Sequence, residues 1–166
     1  MELHAPPKTG NVVLDRWLER LFEELMYVNG AIFSVTKSTH QSDIAINEVV
    51  TVTFDTEITG GGYFDSNTFT APVSGKYLLI ITLYLMYLDS AATYYIIRIV
   101  TSNRTYSAVT DPTKFSGDTL YWPFALTAIA EMNAGDTATV TLTQQGGTAQ
   151  TNIHQSAYFS GVLLGR

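Results

Sequence analysis

The stretch Phe69-Thr-Ala-Pro-Val-Ser-Gly75-Lys-Tyr77 decides the fold. It joins a short strand to a long one through a Pro-Val-Ser-Gly turn, since proline and glycine break regular structure there. The run Tyr77 to Leu88 that follows is apolar on both faces. Tyr77, Leu79, Ile81, Leu83 and Leu85 alternate with Leu78, Ile80, Tyr84 and Met86. Two more pieces stand behind it in order. Met132-Asn-Ala-Gly135-Asp136 leads into the alternating run Thr137 to Gln144, and Tyr158-Phe159-Ser160-Gly161-Val162-Leu163-Leu164 closes the chain.

Working outward, nearly everything after Gly30 reads as short strands. Further runs fall at Ala31 to Lys37, Ile44 to Thr59, Tyr63 to Ala71, Thr93 to Thr101, Thr119 to Glu131 and Ser156 to Leu164. Turn residues at Gly60-Gly61-Gly62, Asp89-Ser90, Asp111-Pro112, Ser116-Gly117-Asp118 and Gly146-Gly147 separate them. Many short strands so punctuated predict an all-β sandwich, barrel or jelly roll. Thr137 to Thr143 alternates Ala138, Val140 and Leu142 with threonines, the pattern of a strand with one wet face. The run Leu120 to Ile129 carries Trp122, Phe124 and Leu126 beside Tyr121, Ala125 and Ile129. A strand apolar on both faces needs a second cover, which neighbouring subunits would supply. Burying ~1,000 Å² of apolar surface at ~25 cal/mol/Å² is worth tens of kcal/mol before entropy costs.

Residues 1 to 11 predict an extended arm, because Pro6-Pro7 and Gly10 oppose helix. Asn11 is an N-cap, and residues 12 to 29 form an amphipathic helix. Leu14, Leu18, Leu21, Leu25 and Val28 recur at spacings of four and three, a heptad seam for a short coiled coil of three chains, the other reading being a single amphipathic helix docked on its own domain. Trp17 and Phe22 broaden the apolar face and, with Pro6 and Pro7, are the expected attachment residues. Residues 30 to 166 would then be the head.

Composition narrows the function. Apolar residues make up 46% and charged residues 14%, a charge content that suits an oligomer with covered surface. A net charge of −6 argues against nucleic acid. Without cysteine there is neither disulfide framework nor thiolate metal site. No apolar run approaches a membrane span, and the opening Met1-Glu-Leu-His-Ala-Pro-Pro-Lys8 has no signal-peptide pattern. Synthesis in a cytoplasm is the expectation. No catalytic constellation, phosphate loop or zinc spacing stands out; His4, His40 and His154 read as separate surface residues. No enzyme activity, cofactor or metal is expected. Tyr106, in the polar segment Ser102 to Ser107, reads as a surface residue, whereas the tyrosines of the long runs read as core or subunit contacts.

Phe69, Gly75 and Tyr77, preceded by Phe33 and Phe54 and followed by Gly135-Asp136 and Phe159-Ser160-Gly161, resemble the head domain of the complement C-one-q family, relatives of the tumour necrosis factor jelly rolls. The pattern spans roughly residues 31 to 165, with Leu79 and Ile81 where that family places aromatics. The resemblance implies a jelly-roll sandwich that trimerises and binds rather than catalyses. It implies an axis-facing sheet of the first, closing and Trp122-bearing strands, so Phe33, Trp122, Phe124, Tyr158 and Val162 are the expected trimer interface or the core just beneath it. Some of that family bind calcium at the head, but no loop here gathers several acidic ligands. The run Pro6 to Leu18 is similar to openings of bacteriophage virion proteins, where an arm and helix attach a fibre or head domain. The expected function is therefore a homotrimeric virion protein, as fibre, tip or decoration. It would hold another virion protein by its N-terminal segment and meet a host-surface glycan or protein by its head. A non-viral bacterial or secreted C-one-q-like binding protein is the other reading.

Overall fold

The structure is a computed structural model that describes residues 8–165, and of residues 22–30 the backbone only. Pro6 and Pro7 lie outside the described residues, as do the side chains of Phe22, Leu25 and Val28. Helix α1 spans Val12–Gly30. The Asn11 carboxamide oxygen accepts from the Val13 and Leu14 amides at 3.1 Å, satisfying two orphan donors of the first turn. Thr9 donates twice to Asp15, holding its carboxyl below the usual range, and Lys8 pairs with Glu19. The helix ends at Gly30, and Ala31 leaves at φ −117°, so no left-handed glycine makes the stop.

Two antiparallel six-stranded sheets follow. The first holds β1 (Ile32–Thr36), β3 (Thr56–Thr59), β6 (Gly75–Leu88), β9 (Thr119–Met132), β11 (Asn152–Ile153) and β12 (Tyr158–Gly165). Across it the order runs β3, β1, β12, β6, β9, with β11 beside the far end of β6. The second holds β2 (Val50–Thr51), β4 (Phe64–Asp65), β5 (Thr68–Thr70), β7 (Ala92–Thr101), β8 (Thr105–Thr110) and β10 (Thr137–Gly146), with β10 and β7 at its centre. Pro123 sits in β9, which pairs only with β6; an edge strand is where a residue without an amide hydrogen is tolerated.

The core lies between the sheets. Alternate residues of β6, namely Tyr77, Leu79, Ile81, Leu83 and Leu85, are fully buried against Tyr95, Ile97, Ile99, Val140 and Leu142 of the second sheet. The opening motif now has a physical meaning. Phe69 stacks on Phe33 at 4.3 Å and meets Tyr77 edge-on at 5.5 Å. The Tyr77 hydroxyl donates back to the Val73 carbonyl at 2.7 Å, tying the turn to its strand. Ala71 exchanges backbone hydrogen bonds with Gly135 and Asp136, and Ser74 accepts from the Ala134 amide, so the two turns lock together. Gly161 lies in register between Phe33 and Leu79. A Cβ there would stand 2.8 Å from Leu79 and closer still to the Phe33 ring, so the closing motif is glycine to admit that ring.

Three expectations need correction. The segment Ile44 to Thr59 is not one strand: only Val50–Thr51 and Thr56–Thr59 pair as strands. Tyr63 to Ala71 is instead a hairpin that turns at Ser66 and Asn67, both at positive φ. Tyr106 is not a free surface residue. It lies in β8, half-buried, and its hydroxyl donates to the Ile129 carbonyl at 3.1 Å.

Asp89 pins the end of the sandwich where β6 turns into β7. Its carboxylate is 2% exposed and accepts from the amides of Ala91 (2.8 Å), Thr148 (2.5 Å) and Ala149 (2.8 Å). Burial alone would push its pKa up, but these amides outweigh it and hold the group below its ordinary value. A depressed folded pKa contributes stability above the unfolded value near 4, lost as pH falls through the folded one. Asp89→Asn turns a donor toward those amides and should cost about 2–4 kcal/mol at pH 7. In urea melts the gap to wild type should narrow below about pH 4; a gap independent of pH would assign the loss to packing.

Candidate functional site

The surface that stands out is the outer face of the first sheet. Strand alternation puts Ile32 and Ser34 of β1, Tyr158, Ser160 and Val162 of β12, and Leu78, Ile80, Thr82 and Tyr84 of β6 on it. Tyr121, Pro123, Ala125, Thr127 and Ile129 of β9 continue it in register. Ile129 is 58% exposed and Ile32 47%. Among the described residues of these four strands, charge enters the face only at one rim, where Lys76 faces Glu131 across β6 and β9. At the centre, Ser34 and Ser160 share a hydrogen bond at 2.8 Å, satisfying their hydroxyls within the apolar field. Beside them a groove of about 250 Å³ is floored by Gly161 and walled by Ile32, Leu78, Ile80 and Val162.

Of the five expected interface residues, Tyr158 and Val162 lie on this face. Phe33 and Phe124 do not: they point the other way and are buried in the core. Trp122 also turns inward, half-buried against Phe115 at 4.7 Å. These three therefore take the second of the two expected places, the core beneath the face, because period-two alternation sends each to the opposite side from the residue beside it. Trp122→Ala should therefore lower stability, by about 1–3 kcal/mol, with only an indirect effect on assembly. Thermal melts of an assembled sample and of a dissociated one would separate the two contributions.

The helix is the second exposed apolar surface. Leu14, Trp17 and Leu21 are exposed and Leu18 half-buried. The described part of the heptad seam and Trp17 thus stand open to solvent in one chain.

The structure also joins two histidines that read as unrelated. His40 and His154 lie with ring centroids 4.6 Å apart, and the edge of Tyr121 approaches His154 at 5.9 Å. Their Nδ1 atoms accept from the Gln155 and Ser156 amides at 3.0 Å. The bridge between Gln41 and Ile153 brings the two loops together, a long-range pairing with no local sequence signal. Among the described residues no three metal-ligating side chains gather, and no described helix is long and apolar enough to cross a membrane.

No family model and no curated protein matches the chain. Solved structures do. The globular domain of zebrafish complement 1qA protein is 19% identical with a TM-score of 0.62, covering 83% of this chain and 99% of its own. Murine APRIL at pH 8.0 is 14% identical with a TM-score of 0.58, covering 81% of this chain and 98% of its own. The same protein at pH 5.0 gives 13% and 0.56. Two antiparallel sheets in this order, superposing on both neighbours over four-fifths of the chain, make the fold a jelly-roll sandwich of the complement C-one-q and tumour necrosis factor type.

Proposed function

We propose that this chain is a homotrimeric binding module, assembled through the outer face of the first sheet and displaying the second sheet and its loops. The observation that carries the reading is that face itself. It runs across β1, β12, β6 and β9 with charge, among the described residues, confined to the Lys76–Glu131 rim, and it leaves Ile32 and Ile129 open in a single chain. A second copy covers such a surface at no desolvation cost to charged groups. The fold shared with the complement head and APRIL favours the same arrangement. Light scattering during size exclusion should give about three times the 18.3 kDa chain mass. A clean monomer at micromolar concentration would defeat the proposal.

The setting we assign is a bacteriophage particle, with the arm and helix α1 as the attachment to another virion protein. Exposed Leu14, Trp17 and Leu21 support an attachment role, since aromatic and aliphatic anchors of this kind fill partner pockets. The Pro6 to Leu18 resemblance to virion openings supports the setting. Among the helix residues whose side chains are described, Val12 to Leu21, none joins the core, which supports a head that folds without the helix. Deleting residues 1 to 28 should give a soluble β-rich trimer absent from purified virions; normal incorporation of that truncation would move the anchor elsewhere.

A further inference from the structure

The opposite face of the molecule, the outer side of the second sheet, carries a different chemistry. Along the outward positions of β7, β8 and β10 the side chains are hydroxylated, amide or apolar, with one exception: Arg98 at the centre of β7. Its Nη1 donates to the Thr143 hydroxyl at 2.9 Å, and no carboxylate pairs with it among the described residues. Directly across from Arg98 in register is Thr141, 8% exposed. Its Oγ1 is the buried side-chain polar atom that has no hydrogen-bond partner among the described residues. A half-buried guanidinium without its anion and a buried hydroxyl without its partner stand side by side. Each is a state that a protein normally relieves by bonding.

From this pair we infer that the outer face of the second sheet binds a glycan carrying a carboxylate, with Arg98 swinging off Thr143 to take the carboxylate and giving the ligand access to the Thr141 hydroxyl, which then completes its hydrogen bonding on the ligand. The guanidinium fork suits a two-oxygen anion. A single cation on a chain of net charge −6 does not suit a polyanion, which needs several cations. The surroundings suit a polyhydroxylated ligand. Ser107 stands beside Arg98 on β8, and Tyr94 and Gln145 face each other in register on the same side, about 13 Å along the strand. That is the reach of a short oligosaccharide, with donors and acceptors at one end and an aromatic ring at the other. The inference rests on the head being a binding module. The pair lies within one chain, however, so assembly and binding can fail separately, and light scattering on the same sample tells which has failed.

The test uses the full chain with trigalacturonic acid and 3′-sialyllactose as probes, and methyl-esterified trigalacturonate and lactose as their neutral counterparts. Calorimetry and saturation-transfer NMR should show at least one acid binding in the roughly millimolar range or tighter, and its neutral counterpart about tenfold weaker or undetectable. Arg98→Ala should abolish binding. Thr141→Val should weaken it about fivefold or more while leaving the melting temperature unchanged or raised, because it deletes an unpartnered hydroxyl and keeps the shape. A purely structural Thr141 would lower the melting temperature and leave affinity alone. The inference is overturned if neither acid binds, if acid and neutral counterpart bind alike, if Arg98→Ala binds as wild type does, or if a glutamate-rich peptide shows Arg98-dependent binding and the glycans do not.

Discussion

Ile80→Glu is expected to convert the proposed trimer into a folded monomer. Ile80 sits mid-face on β6, between Ser160 of β12 and Thr127 of β9. In a single chain this position is partly open to water, so a carboxylate there is hydrated and costs the fold little. Its core-facing neighbours Leu79 and Ile81 are untouched and fully buried. In the trimer the same carboxylate would be pressed against the apolar groove of Ile32, Leu78 and Val162 in each copy, near its two equivalents. Burying an unpaired charge costs several kcal/mol per group, and three close to one axis repel one another as well. Scattering mass should fall from about three chain masses to the 18.3 kDa of one, with far-ultraviolet circular dichroism unchanged. Retention of the trimer would place the interface elsewhere. Loss of both mass and β signal would show that Ile80 belongs to the core.

Phe33→Ala is expected to be the most damaging single truncation of the core. The ring is fully buried, stacked on Phe69 at 4.3 Å, edge-on to Phe159 at 4.9 Å and 5.7 Å from Phe64. Removing a buried aromatic of this kind costs about 3–5 kcal/mol, because the cavity among the remaining rings closes only in part. For a domain of this size that is roughly 6–20 °C of melting temperature. Gly161 supplies an internal check. Gly161→Ala alone should cost about 1–3 kcal/mol by pushing the Phe33 ring from its seat. In the Phe33→Ala background the added methyl enters vacated space, so its cost should vanish or change sign. A double-mutant cycle, run on the Ile80→Glu monomer so that assembly does not enter the melts, reads this coupling directly. Additive costs would mean that the ring and the glycine do not share the space assigned to them.

The order of elements was legible along the chain because the signals involved are local. Asn11 caps the helix and the Pro-Val-Ser-Gly turn stops one strand before the next. Ala138, Val140 and Leu142 announce their buried face by alternation with threonine. Strand β8 was missed because Thr105 to Thr110 is an edge strand with one half-buried face, and its polar residues read as a loop. Along the chain Phe33, Trp122 and Phe124 stay undecided between a subunit interface and the core beneath it, because local pattern does not say which face of a strand meets the second sheet; the structure puts all three on the inward side.

By itself the sequence determined a cysteine-free, weakly charged β chain led by an amphipathic helix, with a positive-φ glycine at Gly135 and a Phe69–Tyr77 turn motif that point to a jelly-roll sandwich. Those properties follow from near neighbours: caps, turns, positive φ and period two. Only the tertiary structure decided which face of β6 is core and which is open. That depends on whether Leu79 or Ile80 turns toward the second sheet, and both are equally apolar. It also decided that His40 meets His154, and that Arg98 lies opposite an unpartnered Thr141. Such juxtapositions are set by strand register between segments distant in the chain. Register comes from the whole core closing at once, with the Phe33 ring seated over Gly161, and no single segment carries it.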